Sequence, residues 1–363
     1  GFKERHSTLH PLTKLIENTV LNFNRRNHTG LVLLDFEKAF DTIWMDGLIH
    51  KLIQLNFPPY ITRTLHSYLS DRNFTVQVDN GLSTVKQVTA GVPQGSILGP
   101  SLFNVYIHDI PTDADTTLLM FADDTAIYKS SRSPTLLTTK IQRHIDALTD
   151  YTEKWQIKIN PSKTEAIFFT KSRWSITLTD LTKLKVMGHE AEWSKEVKYL
   201  GVTLDYRLSF TKHTNTKIGQ AYGMMNLLRP LLNHNSPLSV KNKRTLYLTL
   251  IRPLLTYAAP AWNATTKTNR RRLQIAQNKA LRLVLDKSRN PLTRHYYPTK
   301  YLHEQTDIPT ILEHIKKLTE NFYRKCRDHD NSTIRALGQY TSEMIWYGNY
   351  AMPNYLIEPA VNT

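Results

Sequence analysis

Apolar positions along the first half of the chain follow both helical and strand spacings. A helix is predicted over about residues 10–24, where an apolar face recurs every three or four residues, at Leu12, Leu15, Ile16, Thr19, Val20 and Phe23. The uninterrupted apolar run from Leu31 to Leu34 predicts a buried strand. Two further runs, Leu118 to Phe121 and Ala126 to Tyr128, flank a short polar tip and predict a β-hairpin.

The same spacings predict a layered arrangement of further elements. They indicate helices over residues 44–55, 60–69 and 134–155, and strands over residues 74–78 and 166–169. A segment rich in glycine and proline, residues 91–100, precedes a helix expected to begin near Ser101. Helices and strands that alternate in this way predict an α/β (α+β) fold.

The second half of the chain is predicted to be helical, most clearly over residues 218–232, 241–257 and 270–285. In the last of these helices, one face is apolar and contains Leu273, Ala276, Ala280 and Val284. The opposite face presents three cations, Arg272, Lys279 and Arg282. A membrane surface is one partner for such a helix, but its small, alanine-rich apolar face favours a nucleic-acid backbone.

Composition is that of a globular protein and excludes several classes. Of 363 residues, 40% are hydrophobic and 21% are charged, and no run approaches the roughly 18 apolar residues of a membrane span. Cys326 is the only cysteine, so this sequence contains neither a disulfide framework nor a zinc finger or knuckle. A reducing compartment is expected.

The positive charge is unevenly distributed. The formal net charge is +16, yet residues 1–205 hold 23 Lys and Arg against 22 Asp and Glu, whereas residues 206–363 hold 24 against 9. A near-neutral half joined to a strongly basic half fits an enzyme that holds a polyanion beside its active site. A basic face kept for solubility is the alternative.

Carboxylates are concentrated where the predicted strands end. Asp123 and Asp124 occupy the tip of the predicted hairpin, and Asp35 directly follows the buried strand. An ordinary solvated acidic turn is the simplest interpretation of the pair, but a third carboxylate at a neighbouring strand end favours a metal site. Three such carboxylates suit two Mg²⁺ ions that promote nucleotidyl transfer. Asp109, Asp113 and Asp115, in the loop before the hairpin, are expected to be solvated instead.

Five segments, in order, resemble the palm motifs of reverse transcriptases, most closely those of the jockey-like non-LTR retrotransposons of insects. They are Asp35 to Asp41, Gly91 to Pro100, Phe121 to Asp124, Asn160 to Glu165 and Val197 to Val202. The resemblance implies a right-hand polymerase, with a palm and partial fingers over residues 1–205, a helical thumb over 206–290 and a basic extension of unknown role over 291–363. It also implies an RNA-directed DNA polymerase that uses template RNA, a DNA primer, dNTPs and two Mg²⁺ ions, with Mn²⁺ as the alternative.

The resemblance assigns roles to individual residues besides the catalytic, metal-binding set Asp35, Asp123 and Asp124. Phe40 matches the aromatic gate that excludes a 2′-hydroxyl, although core packing is the usual role of a phenylalanine. Gln94 and Gly95 match the segment that approaches the nucleotide. Lys163 matches a residue that approaches the triphosphate and protonates the leaving pyrophosphate, although a plain surface charge is the alternative. The hairpin over residues 195–204 matches the one that seats the primer end, with core packing equally compatible.

The family normally has earlier fingers strands, and none precede residue 1, which favours a truncated copy. Two alternatives to a polymerase therefore stay open: a non-catalytic remnant that still binds nucleic acid, and a maturase-like protein that helps RNA fold. The resemblance implies an intracellular location, in the nucleus and in cytoplasmic ribonucleoprotein.

Overall fold

The computed structural model describes residues 2–172, 181–287, 289–340 and 350–354. The α-helices are α1 Leu9–Asn24, α2 Met45–Gln54, α3 Pro59–Leu69, α4 Leu98–Tyr106, α5 Pro134–Lys154, α6 Thr211–Leu227, α7 Arg229–Leu232, α8 Val240–Leu246, α9 Arg252–Thr256, α10 Ala259–Trp262, α11 Lys267–Leu285, α12 Thr299–Thr306, α13 Ile311–Arg327 and α14 Ser332–Arg335. The strands are β1 His28–Asp35, β2 Asn73–Phe74, β3 Gln77–Val78, β4 Gly81–Leu82, β5 Lys86–Gln87, β6 Thr117–Phe121, β7 Asp124–Ser131, β8 Glu165–Phe169, β9 Leu184–Val186, β10 His189–Ala191, β11 Trp193–Ser194, β12 Glu196–Tyr199 and β13 Val202–Asp205. The predicted mixture of helices and strands is confirmed.

The described residues divide into two compact units. The first unit contains Gly1–Thr8, His28–Phe168 and Ser172–Ser194, and the second contains Leu9–Asn27, Phe169–Lys171 and Lys195–Thr363. Helix α1 therefore belongs to the second unit, although it lies within the range assigned above to the palm. The three-part division at residues 205 and 290 stays a prediction.

A five-stranded sheet forms the centre of the first unit, in the order β11-β8-β1-β7-β6. Its middle strand β1 is the predicted apolar run, and its interior residues are buried. Helix α5 packs on β1 and β7. Gly30 in β1 permits this approach, because a Cβ atom there would lie 2.4 Å from Leu137 of α5. The tight contact between helix and sheet fixes the strand that ends in Asp35.

Several predicted elements differ in detail from the structure. The helix predicted over residues 218–232 begins earlier, at Thr211, and is divided into α6 and α7. The strand predicted over residues 74–78 is a ribbon made of two short ladders, β2–β5 and β3–β4. Helix α4 begins at Leu98, before Ser101, because the Ser96 hydroxyl accepts a hydrogen bond from the Gly99 amide at 2.9 Å. The helix predicted over residues 241–257 is interrupted by a π-helical turn at Tyr247–Ile251, just before Pro253, which has no amide to continue the α-helical pattern.

The second unit is mainly helical and contains one described β-hairpin, β12–β13. Helix α11 packs against α6, α8, α12 and α13, and α1 packs against α10. The predicted apolar face of α11 is buried, since Leu273, Ala276 and Ala280 are all 0% exposed. None of the helices in the described ranges has both the length and the apolar character that a membrane crossing requires.

Candidate active site

The pairing of β1 with β7 brings two predicted site residues face to face. The strands are antiparallel, and their register runs from His28 opposite Ser131 to Asp35 opposite Asp124. A shift by one residue would turn the buried side chains of β1 toward solvent, so burial fixes this register. Directly opposed residues have Cβ atoms about 4.5–5.5 Å apart. The structure thus juxtaposes the carboxylates of Asp35 and Asp124.

The hairpin tip places the third carboxylate beside this pair. Phe121 pairs with Asp124 across the β6–β7 hairpin, so Ala122 and Asp123 form a two-residue turn. Ala122 has a φ of +56°, a left-handed conformation that is unusual for a residue with a Cβ atom. The predicted hairpin is confirmed, and Asp123 lies exposed at its tip.

Desolvation and charge repulsion both act on this group of carboxylates. The Asp124 side chain is accessible to solvent, yet surrounding protein atoms remove part of its hydration. This desolvation, followed by the negative charges of Asp123 and Asp35, raises the pKa of Asp124 above its usual value. Like charges placed opposite each other in a sheet are destabilising. A cation bound here would relieve that repulsion.

Lys163 supplies one positive charge at the site. Its ammonium nitrogen Nζ lies 3.0 Å from Asp35 Oδ2. The hydrogen bond to Asp35, together with the charges of Asp35 and Glu37, raises the pKa of Lys163. The 3₁₀ turn Pro161–Lys163 is held in place because the backbone amide of Asn160 donates to the backbone carbonyl of Asp35 at 2.9 Å. The structure therefore pairs Lys163 with Asp35, one of the three predicted metal ligands, while its approach to a triphosphate stays a prediction.

The three carboxylates have the chemistry of a metal site but do not converge on one point in this structure. Across the described ranges, no three His, Cys, Asp or Glu side chains converge closely enough to hold a metal ion. The donor chemistry nevertheless fits a hard divalent ion, since carboxylate oxygens are its preferred ligands and two opposed carboxylates repel each other without one. Convergence of Asp35, Asp123 and Asp124 on one ion stays a prediction.

Phe40 lies between the core and the surface. Its ring is half-buried, with its centroid 4.9 Å from that of Phe103 and 5.6 Å from that of Phe2. The Val92 amide donates to the Phe40 carbonyl at 2.8 Å, which joins this residue to the glycine-rich segment. Core packing thus occupies part of the ring, while the rest is available for the predicted gate.

The glycine-rich segment passes close to the chain that follows β1. Gly91 has a φ of +85°, and a Cβ atom there would lie 2.6 Å from the Asp41 carbonyl oxygen. Gln94 Nε2 donates to Asp41 Oδ1 at 2.8 Å, which joins the glycine-rich segment to the first motif by a second contact. Gly95 has a φ of +79° and open space where a side chain would stand. Glycine is required at Gly95 for its backbone conformation alone.

Periodicity did not reveal the most heavily bonded lysine of this unit. Lys51 of α2 is fully buried, and its Nζ donates to Asp109 Oδ1 at 2.6 Å and to the Tyr151 hydroxyl at 2.8 Å, 3.7 Å from the Trp155 ring centroid. Burial lowers the pKa of Lys51 despite the opposing effect of Asp109. For Asp109, burial favours a higher pKa, but hydrogen bonds from Lys51 and Tyr151 lower it overall. The sequence did contain a signal for this buried lysine, since Lys51 lies on the apolar face of α2.

Asp109, Asp113 and Asp115 are partly accessible to solvent, as expected, but each of them also pairs with a cation. Asp109 pairs with the buried lysine, and Arg143 Nη2 lies 2.6 Å from Asp113 Oδ2 and 2.8 Å from Asp115 Oδ2. Hydrogen bonds from Arg143 lower the pKa of Asp113, as those from Lys140 and Arg143 lower the pKa of Asp115. Asp113 and Asp115 therefore pair with cations on α5, and the sequence spacing did not predict these pairs.

The predicted hairpin over residues 195–204 is confirmed in the second unit. Tyr199 pairs with Val202, and the turn residues Leu200 and Gly201 both have positive φ. Tyr257 fixes this turn, because its hydroxyl donates to the Leu200 carbonyl at 3.0 Å and its ring packs directly on Gly201. Tyr199 is buried, with 2% of its surface exposed. A role for the hairpin at a primer end stays a prediction.

The three cations predicted on α11 differ in their surroundings. Arg272 and Lys279 are exposed, and Lys279 Nζ lies 4.4 Å from the Tyr222 ring centroid. Arg282 is half-buried, and its Nη2 donates to the Tyr297 carbonyl at 3.1 Å. Desolvation lowers the pKa of Arg282. Arg282 thus has an internal partner, whereas Arg272 and Lys279 point to solvent.

Comparison with known proteins yields a consistent set of relatives. The sequence profile of the family "Reverse transcriptase (RNA-dependent DNA polymerase)" matches residues 1–204. The chain is 33% identical over 346 residues to the probable RNA-directed DNA polymerase from transposon BS of Drosophila melanogaster, with 93% of this chain and 37% of that protein covered. It is 30% identical over 347 residues to the RNA-directed DNA polymerase from mobile element jockey of the same fly, covering 93% and 36%.

A third relative and one solved structure complete the comparison. The probable RNA-directed DNA polymerase from transposon X-element of Drosophila melanogaster is 30% identical over 351 residues, covering 93% of this chain and 37% of that protein. The chain therefore spans little more than a third of the length of these relatives. Apo telomerase from Candida Tropicalis aligns with a TM-score of 0.38 and 11% identity over 92% of this chain and 55% of that chain, a similarity too low to bear on the fold.

Proposed function

This chain belongs to the reverse transcriptase family, with relatives among the jockey-like non-LTR retrotransposons, and on that premise we propose that it copies RNA into DNA from a DNA 3′-hydroxyl. The observation that supports the proposal best is the β1–β7 register, which opposes Asp35 to Asp124 next to a hairpin tip that bears Asp123. Nucleotidyl transfer needs such a cluster of hard oxygen ligands. Template RNA, a DNA primer and dNTPs are the proposed substrates.

We propose that the chain is divided along its sequence into the parts of a right-hand polymerase. The five-stranded sheet with the carboxylates, within residues 1–205, is the proposed palm with partial fingers. The helices that follow, up to residue 290, are the proposed thumb, and residues 291–363 are a basic extension. The strong positive charge after residue 205 supports this division, because the thumb of such an enzyme holds a polyanion.

Asp35, Asp123 and Asp124 are the proposed ligands of divalent ions, for which Mg²⁺ is the first choice. Bound ions would supply activation of the attacking hydroxyl and neutralisation of charge on the leaving group. Lys163, already paired with Asp35, is positioned to exchange that partner for a triphosphate oxygen and to donate a proton to the leaving pyrophosphate. The family motifs imply both roles, and the pairing of Lys163 with Asp35 supports them.

Phe40, Gln94 and Gly95 are the proposed contacts to the incoming nucleotide. The part of the Phe40 ring not packed on Phe103 would exclude a ribose 2′-hydroxyl by bulk. The open space at Gly95 allows a nucleotide to approach the backbone closely, and the Gln94 amide can hydrogen-bond a sugar or base. These assignments rest on the family motifs together with the positions found here.

Primer extension on an RNA template tests the proposal. Asp35→Asn, Asp123→Asn and Asp124→Asn should each reduce dNTP addition on the order of a thousand-fold or more, because each removes a metal ligand. RNA binding should stay nearly unchanged, since the basic residues are untouched. Asp150→Asn, an exposed carboxylate on α5, is the matched control and should retain activity. Extension by Asp124→Asn at the parental rate would refute the site assignment.

A chain that binds RNA tightly yet extends no primer, with or without these substitutions, would favour a non-catalytic nucleic-acid-binding protein. The binding and extension measurements on the same preparation separate the two functions. Full RNA binding with extension absent in the parental chain is the result that would overturn the polymerase proposal.

A further inference from the structure

An exposed loop after α11 is closed on itself by its own hydrogen bonds. Arg289 and Tyr296 form an antiparallel bridge at its base, and the Asn290 amide donates to the His295 carbonyl at 2.8 Å. The Asn290 side-chain oxygen accepts from the Leu292 amide at 2.9 Å and from the Thr293 amide at 3.3 Å. Residues 291–296 are all exposed. The loop therefore presents its side chains to solvent in a defined arrangement.

Tyr296 in this loop lies among guanidinium groups. The Cζ atoms of Arg282 and Arg289 lie 4.8 and 4.9 Å from its ring centroid, within range of cation–π attraction. Arg282 is itself anchored by its bond to the Tyr297 carbonyl. The Tyr296 side chain nevertheless leaves much of its surface open, since the residue is 58% exposed. Planar groups thus cluster at the surface without forming a closed core.

The surroundings of the loop are strongly cationic. Residues 279–300 contain six Lys and Arg against one acidic residue, Asp286. A hydrogen bond from Arg289, followed by the charges of Arg289, Arg282 and Lys279, lowers the pKa of Tyr296. Positive charge this poorly balanced by carboxylates favours an anionic partner.

We propose that the loop 289–296, with Arg282 and Lys279, binds single-stranded nucleic acid. Unpaired bases stack on the Tyr296 ring and the neighbouring guanidinium planes, while the cations contact the phosphates. Single strands fit better than duplexes, because the base faces of a duplex are already stacked on one another. An acidic peptide would match the charge, but its carboxylates do not stack on an exposed aromatic ring as bases do.

This site shares no residue with the carboxylate edge of the sheet and requires neither a metal ion nor a nucleotide, although Lys279 and Arg282 also belong to the basic face of α11. The proposal therefore goes beyond polymerisation, and the two can fail separately. Binding to a labelled 12-nucleotide oligouridylate, measured by fluorescence anisotropy on the whole chain without divalent ions, tests it directly. A strand of equal length without bases and a 12-base-pair A–U duplex are the comparison ligands.

Tyr296→Ala should weaken oligouridylate binding about 5- to 150-fold, the range expected for loss of one base–aromatic stack. The same change should alter binding of the base-free strand less than about 2-fold, because phosphate contacts remain. Tyr296→Phe should bind like the parent, since it keeps the ring. Arg289→Gln should weaken binding to both single strands, because it removes a phosphate contact.

Tyr60→Ala is the matched control, because Tyr60 is 65% exposed on α3 in the first unit. Thermal unfolding of each variant establishes that it is folded. Equal oligouridylate binding by Tyr296→Ala and Tyr60→Ala would overturn the proposal, as would equal losses on the oligouridylate and the base-free strand. Displacement of the oligouridylate by deca-aspartate at equal charge concentration would show a general polyanion surface and refute the assignment to single strands.

Discussion

At the scale of single residues, the candidate site holds more negative charge than its neighbours balance. Asp35 has Lys163 as a partner, whereas Asp124 faces Asp35 and adjoins Asp123. The raised pKa of Asp124 means that its ionised form is unfavourable in the folded state without a cation. Function and stability therefore oppose each other at this position, as is common where charges are gathered for catalysis.

Removal of divalent ions should destabilise the protein through Asp124. Because its folded-state pKa is raised, Asp124 contributes stability that is fully present below the ordinary carboxyl pKa and is lost as the pH rises. At neutral pH, Mg²⁺ should therefore raise the thermal unfolding midpoint of the parent, and chelation should reverse the shift. Asp124→Asn in chelator should unfold at a higher temperature than the parent and gain little from Mg²⁺. Asp150→Asn should behave like the parent, and an Mg²⁺ response undiminished in Asp124→Asn would exclude this carboxylate as a ligand.

Phe40 is expected to set the choice between deoxyribonucleotides and ribonucleotides. Phe40→Val shortens the ring that is proposed to exclude a 2′-hydroxyl, so the ratio of rNTP to dNTP incorporation should rise. Shortening a fully buried phenylalanine lowers the free energy of unfolding by roughly 3–5 kcal/mol. The loss for Phe40→Val should be smaller, because this ring is only half-buried. Incorporation ratios and urea unfolding measure the two effects separately. A folded Phe40→Val with an unchanged ratio would leave Phe40 with a packing role alone.

At the scale of elements, buried polar groups fix how helices pack. Lys51 joins α2 to α5 and to the chain just after α4, by donating to Tyr151 and Asp109 inside an aromatic cage. In the second unit, Glu17 of α1 accepts from the Tyr323 hydroxyl of α13 at 2.8 Å. Apolar periodicity predicts which helix face is buried, whereas such bonds select one neighbour and one register.

Replacement of Lys51 should destabilise the first unit. Lys51→Ala removes the cation from its cage and leaves Asp109 without its partner. The free energy of unfolding should therefore fall by about 3 kcal/mol. Lys51→Met should cost less than Lys51→Ala, because its side chain refills the apolar part of the cage. Lys158→Met, at an exposed lysine that does not belong to the cage, is the control and should change stability by less than about 0.5 kcal/mol. Urea unfolding measures all three, and equal stability of Lys51→Ala and the parent would show that the cage contributes nothing.

Glu17 should make the stability of the second unit pH-dependent. Burial raises its pKa to about 7, despite hydrogen bonds from Tyr340 and Tyr323 that oppose the shift. Because the folded state holds the proton more tightly, the contribution is fully present below the ordinary glutamate pKa of 4.5 and is lost as the pH rises through 7. The loss is on the order of 3 kcal/mol. Glu17→Gln should flatten the unfolding profile between pH 5 and 8, and parallel profiles for variant and parent would disprove the assignment.

At the scale of the whole molecule, the two halves of the chain differ strongly in net charge. Residues 206–363 hold 24 Lys and Arg against 9 Asp and Glu. If they grip a nucleic-acid backbone, binding releases condensed counterions, and affinity falls with salt by a log–log slope of about 0.7–0.9 per phosphate contact. The exposed α11 cations are the first residues to test.

Replacement of Arg272 and Lys279 by Gln should weaken binding to all sequences alike and make the salt slope shallower by roughly 1.5 units. Adding Arg282→Gln should bring the total change to at most 2–3 units, with an additional loss of stability because Arg282 holds the Tyr297 carbonyl. Lys86→Gln, on the exposed ribbon of the first unit, is the control. An unchanged slope in the double variant would show that α11 does not contact phosphates.

The sequence by itself determined the family, the element types and the identity of the carboxylates. Five motifs in a fixed order specify the family, because their order and spacing along the chain can be read directly from the sequence. Local apolar periodicity specified α1, α5 and β1, since the spacing of apolar residues along the chain differs between a helix face and a fully buried strand. Boundaries shifted where a hydroxyl or a proline acts locally, as at Ser96 and Pro253.

Only the tertiary structure decided which distant groups meet. The β1–β7 register opposes Asp35 to Asp124, and the turn after α5 brings Lys163 to Asp35. Lys51 is buried because its partners lie on other elements. Arg282 is half-buried, and it donates to the Tyr297 carbonyl in the loop that follows α11. The physical reason is that hydrogen bonds and charge pairs act over a few ångströms in space, whereas periodicity reports only on neighbours along the chain.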